Sequence, residues 1–244
     1  MSVLDTGIKG YTQLDRQAMA KGGGSVIIGI DEVGMGPLAG PVCACALIVG
    51  KEPKQGELVV NDSKLLSPKR REELFPKIRD NSIFELGWVT VKEINKLQNL
   101  NAAGNLARER ALKKLIKTIG WLHPNAIICD FFPIDAGNIP VLAVPKADAN
   151  SFIVACASIV AKVARDRWMI AQAKKYPEYM WDKNSGYRTP EHHMALKMHG
   201  ITPIHRTYLV DKYLKDYTIA GSPNGMATVS ETVTMEVRTL PQQE

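Results

Sequence analysis

The chain has 244 residues, of which 45% are hydrophobic and 23% are charged, and its formal net charge is +6. This length and balance are typical of one well-packed globular domain with modest extensions. The longest apolar stretch, Val42–Val49, is far too short to cross a membrane, and the polar N-terminal region lacks the apolar core of a signal peptide. The positive charge suits an anionic partner such as nucleic acid. We therefore expect a cytoplasmic protein with no membrane partner.

The predicted elements alternate between short apolar runs and longer amphipathic stretches. Residues 1–24 are polar and end in three glycines, which predicts a flexible N-terminal lead-in. Runs of β-branched and apolar residues predict strands over Ser25–Ile30, Val42–Val49, Ser82–Val91, Ala126–Asp130 and Val141–Val144. A 3.6-residue apolar period and cap residues predict helices over Glu93–Ile119, with a break near Asn101–Gly104, over Asn150–Lys175 and over Pro190–Met198.

This order of elements predicts an α/β fold, with a mixed five-stranded sheet flanked by helices and a helical C-terminal extension. We expect one domain over residues 25–217. Residues 218–244 are rich in Thr, Ser and Gln and predict a disordered tail, because they cannot bury enough apolar surface to offset chain entropy. The four cysteines form no C-x-x-C pair and lie among apolar or small residues, which predicts buried, reduced thiols. They are Cys43, Cys45, Cys129 and Cys156.

Acidic residues follow the predicted strands at three points. Asp31 and Glu32 come directly after the first strand and before a loop rich in glycine and proline, and Asp130 closes the fourth strand. Asp148 stands after the fifth strand, at the threshold of a helix of small and apolar residues. A single acid in such a place is usually a cap or a turn residue. Functional groups of open α/β sheets gather beyond the strand ends, so these acids are expected to meet.

Four converging carboxylates repel one another strongly unless a cation lies between them. Oxygen-only ligands suit Mg²⁺ or Mn²⁺ better than zinc. Two such ions can activate a water molecule and stabilise the leaving oxygen of a phosphodiester. The sequence therefore predicts a divalent-metal site formed by Asp31, Glu32, Asp130 and Asp148.

Six ordered segments resemble the type 2 ribonucleases H, the ribonuclease HII family. The stretch from Gly29 to Val42, which reads GIDEVGMGPLAGPV, is similar to the family's opening motif GIDEAGRGPLAGPV. The others are the segments DSKLLS, KAD, ASIVAKVARDR, NSGY with a following Thr and His, and a His-Arg pair. They span about residues 25–210 at compatible spacing, which makes the resemblance very specific.

The resemblance implies a ribonuclease-H-like fold and endonucleolytic cleavage of RNA in RNA–DNA hybrids, and of DNA duplexes 5′ to an embedded ribonucleotide. It implies that the four acids are catalytic and bind Mg²⁺ or Mn²⁺, with two ions present when substrate is bound. It assigns substrate binding to the loop residues and to a tyrosine that stacks on deoxyribose. The substrate-binding residues are Gly34, Met35, Gly36, Lys64 and Tyr187. We expect a monomer.

Two positions depart from the family pattern. Met35 replaces an arginine that would approach phosphate, so Met35→Arg is expected to tighten substrate binding. Phe131 replaces a glycine that follows the third acid, which brings a bulky ring beside the metal site. The backbone contacts of Gly34 and Gly36 are expected to survive the first change, and the second is expected to alter access or the local backbone. Junction specificity and rate are therefore expected to change more than the reaction class.

Several alternatives stay open at this stage. A different nuclease on the same fold, or a non-catalytic hybrid-binding protein with a decayed site, would share most of these motifs. Lys64 suits either a phosphate contact or a solvated loop charge. Arg165, Asp166 and Arg167 are predicted to form an exposed helix face, and the histidines to be structural or superficial.

Overall fold

The computed structural model describes residues 7–50, 52, 58–120 and 122–220, with side chains as far as residue 213. Its centre is a five-stranded sheet in the order β3-β2-β1-β4-β5. The strands are β1 (Ile27–Val33), β2 (Val42–Val49), β3 (Ser82–Val89), β4 (Ala126–Asp130) and β5 (Val141–Val144). Strands β1, β2 and β3 pair antiparallel, whereas β1, β4 and β5 pair parallel. The predicted mixed sheet is confirmed.

Helices cover both faces of this sheet. They are α1 (Gln13–Gly22), α2 (Pro68–Asp80), α3 (Val91–Leu97), α4 (Leu100–Ile119), α5 (Ala147–Asn150), α6 (Phe152–Ala173), α7 (Trp181–Asn184), α8 (Pro190–His199) and α9 (Thr207–Ala220). One apolar core lies between the sheet and α6, with α1 and α2 at its rim. A second core lies between the opposite face and α4. A third, smaller core joins the end of α6 to the C-terminal helices.

Strand β1 is longer than the sequence predicts. The predicted strand ends at Ile30, but pairing with β2 continues through Asp31, Glu32 and Val33, opposite Cys45, Ala44 and Cys43. The backbone ladder to β2 thus carries the strand past two charged residues. Because successive side chains of a strand point to opposite faces, Asp31 and Glu32 face different layers of helices.

The N-terminal lead-in is helical where it was predicted to be flexible. Thr12 and Asp15 form a reciprocal capping box at the start of α1. The buried Asp15 carboxylate also accepts hydrogen bonds from the Ser151 hydroxyl (2.6 Å) and the Phe152 amide (2.9 Å), at the start of α6. The prediction for residues 1–24 is therefore wrong over Gln13–Gly22, and residues 1–6 lie outside the described chain.

The two predicted long helices differ from the structure in their bounds. The first is divided at Gln98, which has a φ of 48°, so that α4 starts after Asn99 and the predicted break at Asn101–Gly104 lies inside it. The second begins at Phe152, about two residues later than predicted, after Ser151, whose hydroxyl caps the Val154 amide. At the C-terminal end, α9 runs to Ala220, three residues past the predicted domain boundary. The rest of the predicted tail, from residue 221, lies outside the described residues.

Two exclusions drawn from the sequence concern membranes and disulfides. Within the described ranges, every helix is too short or too polar to cross a membrane. The four cysteines are buried and form no disulfide bonds, as predicted.

Candidate active site

The two acids of β1 are anchored on opposite sides of the sheet. Asp31 is 6% exposed, and the Ser158 hydroxyl of α6 favours its ionised form. The Glu32 carboxylate turns toward α4, where its Oε2 lies 3.5 Å from Nε of Arg108. These two carboxylates therefore do not stack side by side, although Glu32 is close enough to raise the pKa of Asp31.

Asp130 and Asp148 reach the same end of the sheet from neighbouring elements. Strand β4 runs parallel to β1 and ends at Asp130, whose Oδ1 accepts a hydrogen bond from the Ala147 amide at 3.2 Å. Asp148 follows in α5 and is 3% exposed. Its Oδ2 accepts a hydrogen bond from Nζ of Lys64 at 3.0 Å. The predicted acids are thus brought to one region, with Lys64 among them.

The electrostatics of this region show an excess of buried negative charge. Burial raises the pKa of Asp31 well above its usual range, and the nearby Glu32 and Asp148 raise it further. Burial also raises the pKa of Glu32, against the opposing effect of Arg108. For Lys64, burial lowers the pKa, but the hydrogen bond to Asp148 together with the charges of Asp148, Asp62 and Asp31 outweighs that effect, and the net shift is upward. A cation is the group that would favour ionisation of both strand acids.

The donor set fits a hard divalent cation, although the side chains are not yet gathered around one point. Oε2 of Glu32 is buried without a hydrogen bond, because its ion-pair contact with Nε of Arg108 at 3.5 Å lacks hydrogen-bond geometry, so this oxygen can still accept a ligand. All four candidate ligands are carboxylates, the type that Mg²⁺ and Mn²⁺ prefer. In the described part of the chain, no three acidic, histidine or cysteine side chains stand close enough to hold a metal ion as they are. Shared coordination of one metal ion by these acids would therefore require side-chain rotation.

The loop after β1 is held from beneath by two buried arginines. Arg165 of α6 donates to the carbonyls of Ala39 and Pro41, both at 3.0 Å. Arg206 donates to the carbonyls of Gly34, Met35 and Gly40, at 2.6 to 3.3 Å. Both arginines are fully buried, so the predicted exposure of Arg165 is wrong. A helix-face pattern does not reveal these contacts, because the acceptors are backbone groups more than 120 residues away.

Two glycines of the loop after β1, which we call the clamped loop, differ in their surroundings. Gly34 has a φ of 93°, and a Cβ there would collide with the Arg165 side chain, so glycine is required. Gly36 is exposed, and a Cβ there would meet only the Tyr187 ring, at 3.5 Å. The inward carbonyls and the open side at Gly36 leave the loop backbone accessible to a ligand.

Met35 does not point toward solvent as a phosphate-binding side chain would. It packs against the α4 side of the sheet, and its sulfur and methyl group lie 3.1 Å from where a Cβ on Gly104 would be. The cation of this layer is Arg108, which is 2% exposed. Arg108 also donates to the backbone carbonyl of Asp130 at 3.2 Å, so that it contacts two of the predicted site residues. In the sequence, only the position of Arg108 on an otherwise apolar helix face indicates this role.

Tyr187 stands at the other side of the loop. Its ring is adjacent to Gly36, the residue is 40% exposed, and Nζ of Lys162 lies 5.7 Å from the ring centroid. The Tyr187 carbonyl accepts a hydrogen bond from Nδ1 of His192 (2.9 Å), and Nε2 of His192 lies 3.1 Å from Nε2 of His205. Both histidines are fully buried, in agreement with their predicted structural role.

Solved structures with a similar fold include two ribonucleases. The ribonuclease HII in a complex with PCNA from Archaeoglobus fulgidus aligns with a TM-score of 0.61 and 27% identity, over 74% of this chain and 93% of that one. Ribonuclease H2 from Pyrococcus horikoshii aligns with a TM-score of 0.59 and 27% identity, over 81% of this chain and all of that one. The predicted ribonuclease-H-like fold is confirmed, and the likeness to these two enzymes indicates a ribonuclease H enzyme.

Sequence comparison identifies the family within the ribonuclease H enzymes to which the chain belongs. The family model described as Ribonuclease HII matches residues 28–211. Curated relatives include ribonuclease HII of Ruegeria pomeroyi, 42% identical over 202 residues, and that of Lactobacillus gasseri, 44% identical over 183 residues. These alignments cover 81% and 74% of this chain, and 83% and 69% of the relatives. The chain therefore belongs to the ribonuclease HII family.

Proposed function

We propose that this protein is a metal-dependent endoribonuclease that hydrolyses the RNA strand of RNA–DNA hybrids and cuts 5′ to ribonucleotides embedded in duplex DNA. The products carry 3′-hydroxyl and 5′-phosphate ends. The observation that carries the proposal is that two of the acids and the arginine-bound loop are adjacent in the chain. Strand β1 supplies Asp31 and Glu32, and two residues later it enters the clamped loop at Gly34.

The cofactor in this proposal is Mg²⁺ or Mn²⁺, held by Asp31, Glu32, Asp130 and Asp148, with two ions when substrate is bound. Such ions supply an activated water molecule and stabilise the leaving oxygen of a phosphodiester. The support from this chain is the oxygen-only donor set and the buried, unbonded Oε2 of Glu32. Lys64 neutralises Asp148 before the ion arrives and is then free to contact phosphate.

Substrate selection in this proposal depends on the ribose 2′-hydroxyl, the group that distinguishes RNA from DNA. The backbone of Gly34, Met35 and Gly36 reads it, and the Tyr187 ring stacks on the neighbouring deoxyribose. The support is that Arg165 and Arg206 bind the loop carbonyls from beneath, while Gly36 and Tyr187 are exposed beside one another. A loop that is fixed before binding loses little entropy when it engages the substrate.

The test uses three labelled duplexes of one sequence: an RNA–DNA hybrid, a DNA duplex with one ribonucleotide, and an all-DNA duplex. Each is incubated with Mg²⁺, Mn²⁺ or EDTA, and the products are resolved on a denaturing gel. We expect cleavage of the first two duplexes only, with metal only, and 5′ to the single ribonucleotide. Asp130→Asn should abolish cleavage, whereas Asp135→Asn, at an exposed acid five residues away, should not.

The alternatives give different patterns. Equal cleavage of the all-DNA duplex would indicate another nuclease on this fold. Binding of the hybrid without cleavage, with either metal, would indicate a non-catalytic binding protein. The monomeric state and the cytoplasmic location stay predictions, and size-exclusion chromatography with light scattering tests the first.

A further inference from the structure

Phe131 is an exposed aromatic residue in a strained backbone conformation. It directly follows Asp130, its exposed fraction is 61%, and its φ is 54°. A bulky residue at positive φ is an outlier, since its Cβ is crowded by the backbone in that region. The Phe132 ring packs against it edge-on, with 4.7 Å between centroids, and is itself 42% exposed. Strain of this kind is concentrated at functional positions.

The turn under this ring is fixed by several hydrogen bonds. Buried Arg108 donates to the carbonyls of Asp130 (3.2 Å) and Phe132 (2.9 Å). The Phe132 amide bonds to the Asp130 carbonyl at 2.7 Å, and the Cys129 thiol to the Phe132 carbonyl at 3.3 Å. These contacts hold the backbone on both sides of Phe131, so the strained conformation persists and the ring projects outward. A residue retained for packing would bury its ring instead.

We propose that Phe131, backed by Phe132, is a stacking platform for a nucleotide next to the cleaved phosphate. The inference rests on the proposed function, because the platform adjoins the acid that ends β4. Strands β4 and β1 are parallel, so this turn and the loop after β1 lie at the same end of the sheet. Every nucleotide offers a flat base or an apolar sugar face, and stacking on an aromatic ring tolerates any sequence. Phe131 and Tyr187 would then be two aromatic contacts of one substrate.

The experiment compares Phe131→Ala, Phe131→Gly and Phe131→Trp with the natural protein. Steady-state cleavage of a duplex with one ribonucleotide is measured in Mg²⁺. We expect the alanine and glycine variants to raise KM by about tenfold, the size of one lost base–aromatic stack, with kcat little changed. The tryptophan variant should stay near the natural value. Ile83→Ala, at a 44% exposed apolar residue of the edge strand β3, is the control and should leave KM unchanged.

Two further readouts separate stacking from a structural role. The glycine variant should melt about 2–4 °C above the alanine variant, because glycine accepts positive φ without strain. The fluorescence of 2-aminopurine, placed in turn at positions next to the ribonucleotide, should change on binding to the natural protein at one position. That change should be absent with both small variants.

The outcomes distinguish this inference from the function beneath it. If the natural protein neither binds nor cuts the ribonucleotide duplex, the proposed function fails. If it cuts normally and the small variants keep its KM and its fluorescence change, the stacking platform alone is refuted. A lower melting temperature for the glycine variant than for the alanine variant would refute the claim of backbone strain.

Discussion

Replacement of Arg165 by lysine tests whether the clamp under the loop depends on guanidinium geometry. Arg165 is fully buried and donates to three carbonyls, those of Ala39, Pro41 and Ser185, at 3.0 to 3.1 Å. A lysine ammonium keeps the charge but cannot reach three acceptors arranged around a planar fork. Loss of two such bonds, at about 1.5 kcal/mol each, predicts a fall of about 3 kcal/mol in the free energy of unfolding. The freed loop should also bind substrate less tightly.

The assay is urea unfolding of the metal-free protein at pH 7, together with KM for the ribonucleotide duplex. Arg167→Lys is the matched control, because Arg167 is two residues away but forms an exposed ion pair with Glu72, and such pairs contribute about 0–1 kcal/mol. An Arg165→Lys variant within 1 kcal/mol of the natural protein, with an unchanged KM, would refute the clamp. A stability loss without a change in KM would show that the clamp serves folding alone.

The remaining predictions concern metal binding, charge, the loop and pH. Asp31→Asn should abolish cleavage in saturating Mg²⁺ and raise the melting temperature of the metal-free protein, because it removes a buried negative charge; full activity would remove Asp31 from the site. Substrate affinity should fall between low and moderate salt, with a slope for a few phosphate contacts; a flat dependence would argue against nucleic acid as the ligand. Met35→Arg should lower kcat/KM in the cleavage assay, contrary to the expectation from sequence. The reason is that the Met35 side chain packs toward Gly104, in the layer where Arg108 already supplies a cation. A higher kcat/KM would contradict this packing argument. Burial, together with His192, lowers the pKa of His205 to about 3. The contribution of neutral His205 to the free energy of unfolding should therefore be fully present above pH 6.5 and fall by about 2 kcal/mol by pH 5, as measured by urea unfolding. In the His205→Gln variant, most of this pH-dependent loss of stability should be absent.

The sequence predicted the parts of the fold that depend on local apolar runs. Val42–Val49, Ala126–Asp130 and Val141–Val144 have the same bounds in the structure, because turn-forming residues or charged groups flank each run. The predicted end of β1 was wrong, because pairing with β2 keeps the charged residues Asp31 and Glu32 in the strand. Helix α1 was missed although Thr12 and Asp15 form a capping-box pattern; the buried partners of Asp15 are about 137 residues away.

The part of the candidate site that depends on residue type alone could be predicted from the sequence. Four acids at strand or helix ends indicate a metal site whatever the details of packing. The contacts of the cations that hold this region were not predictable, because Arg108, Arg165 and Arg206 bind carbonyl groups that are 20 to 172 residues away in the sequence. Their acceptors are mostly backbone carbonyls, which have no signature in the amino-acid pattern.

The two cations near the acids differ in a way that suits metal exchange. Arg108 is buried and bonded to the carbonyls of Asp130 and Phe132, so an incoming ion cannot displace it without loss of those bonds. Lys64 has a side chain that is 74% exposed, and it is held at the site by Asp148 at 3.0 Å. The Asp148 side chain is only 5% exposed, so a departing Lys64 regains solvent but leaves a buried carboxylate that a divalent ion would neutralise. We therefore expect Lys64 to yield its place among the acids to a divalent ion, while Arg108 keeps Glu32 and the Asp130 backbone in position.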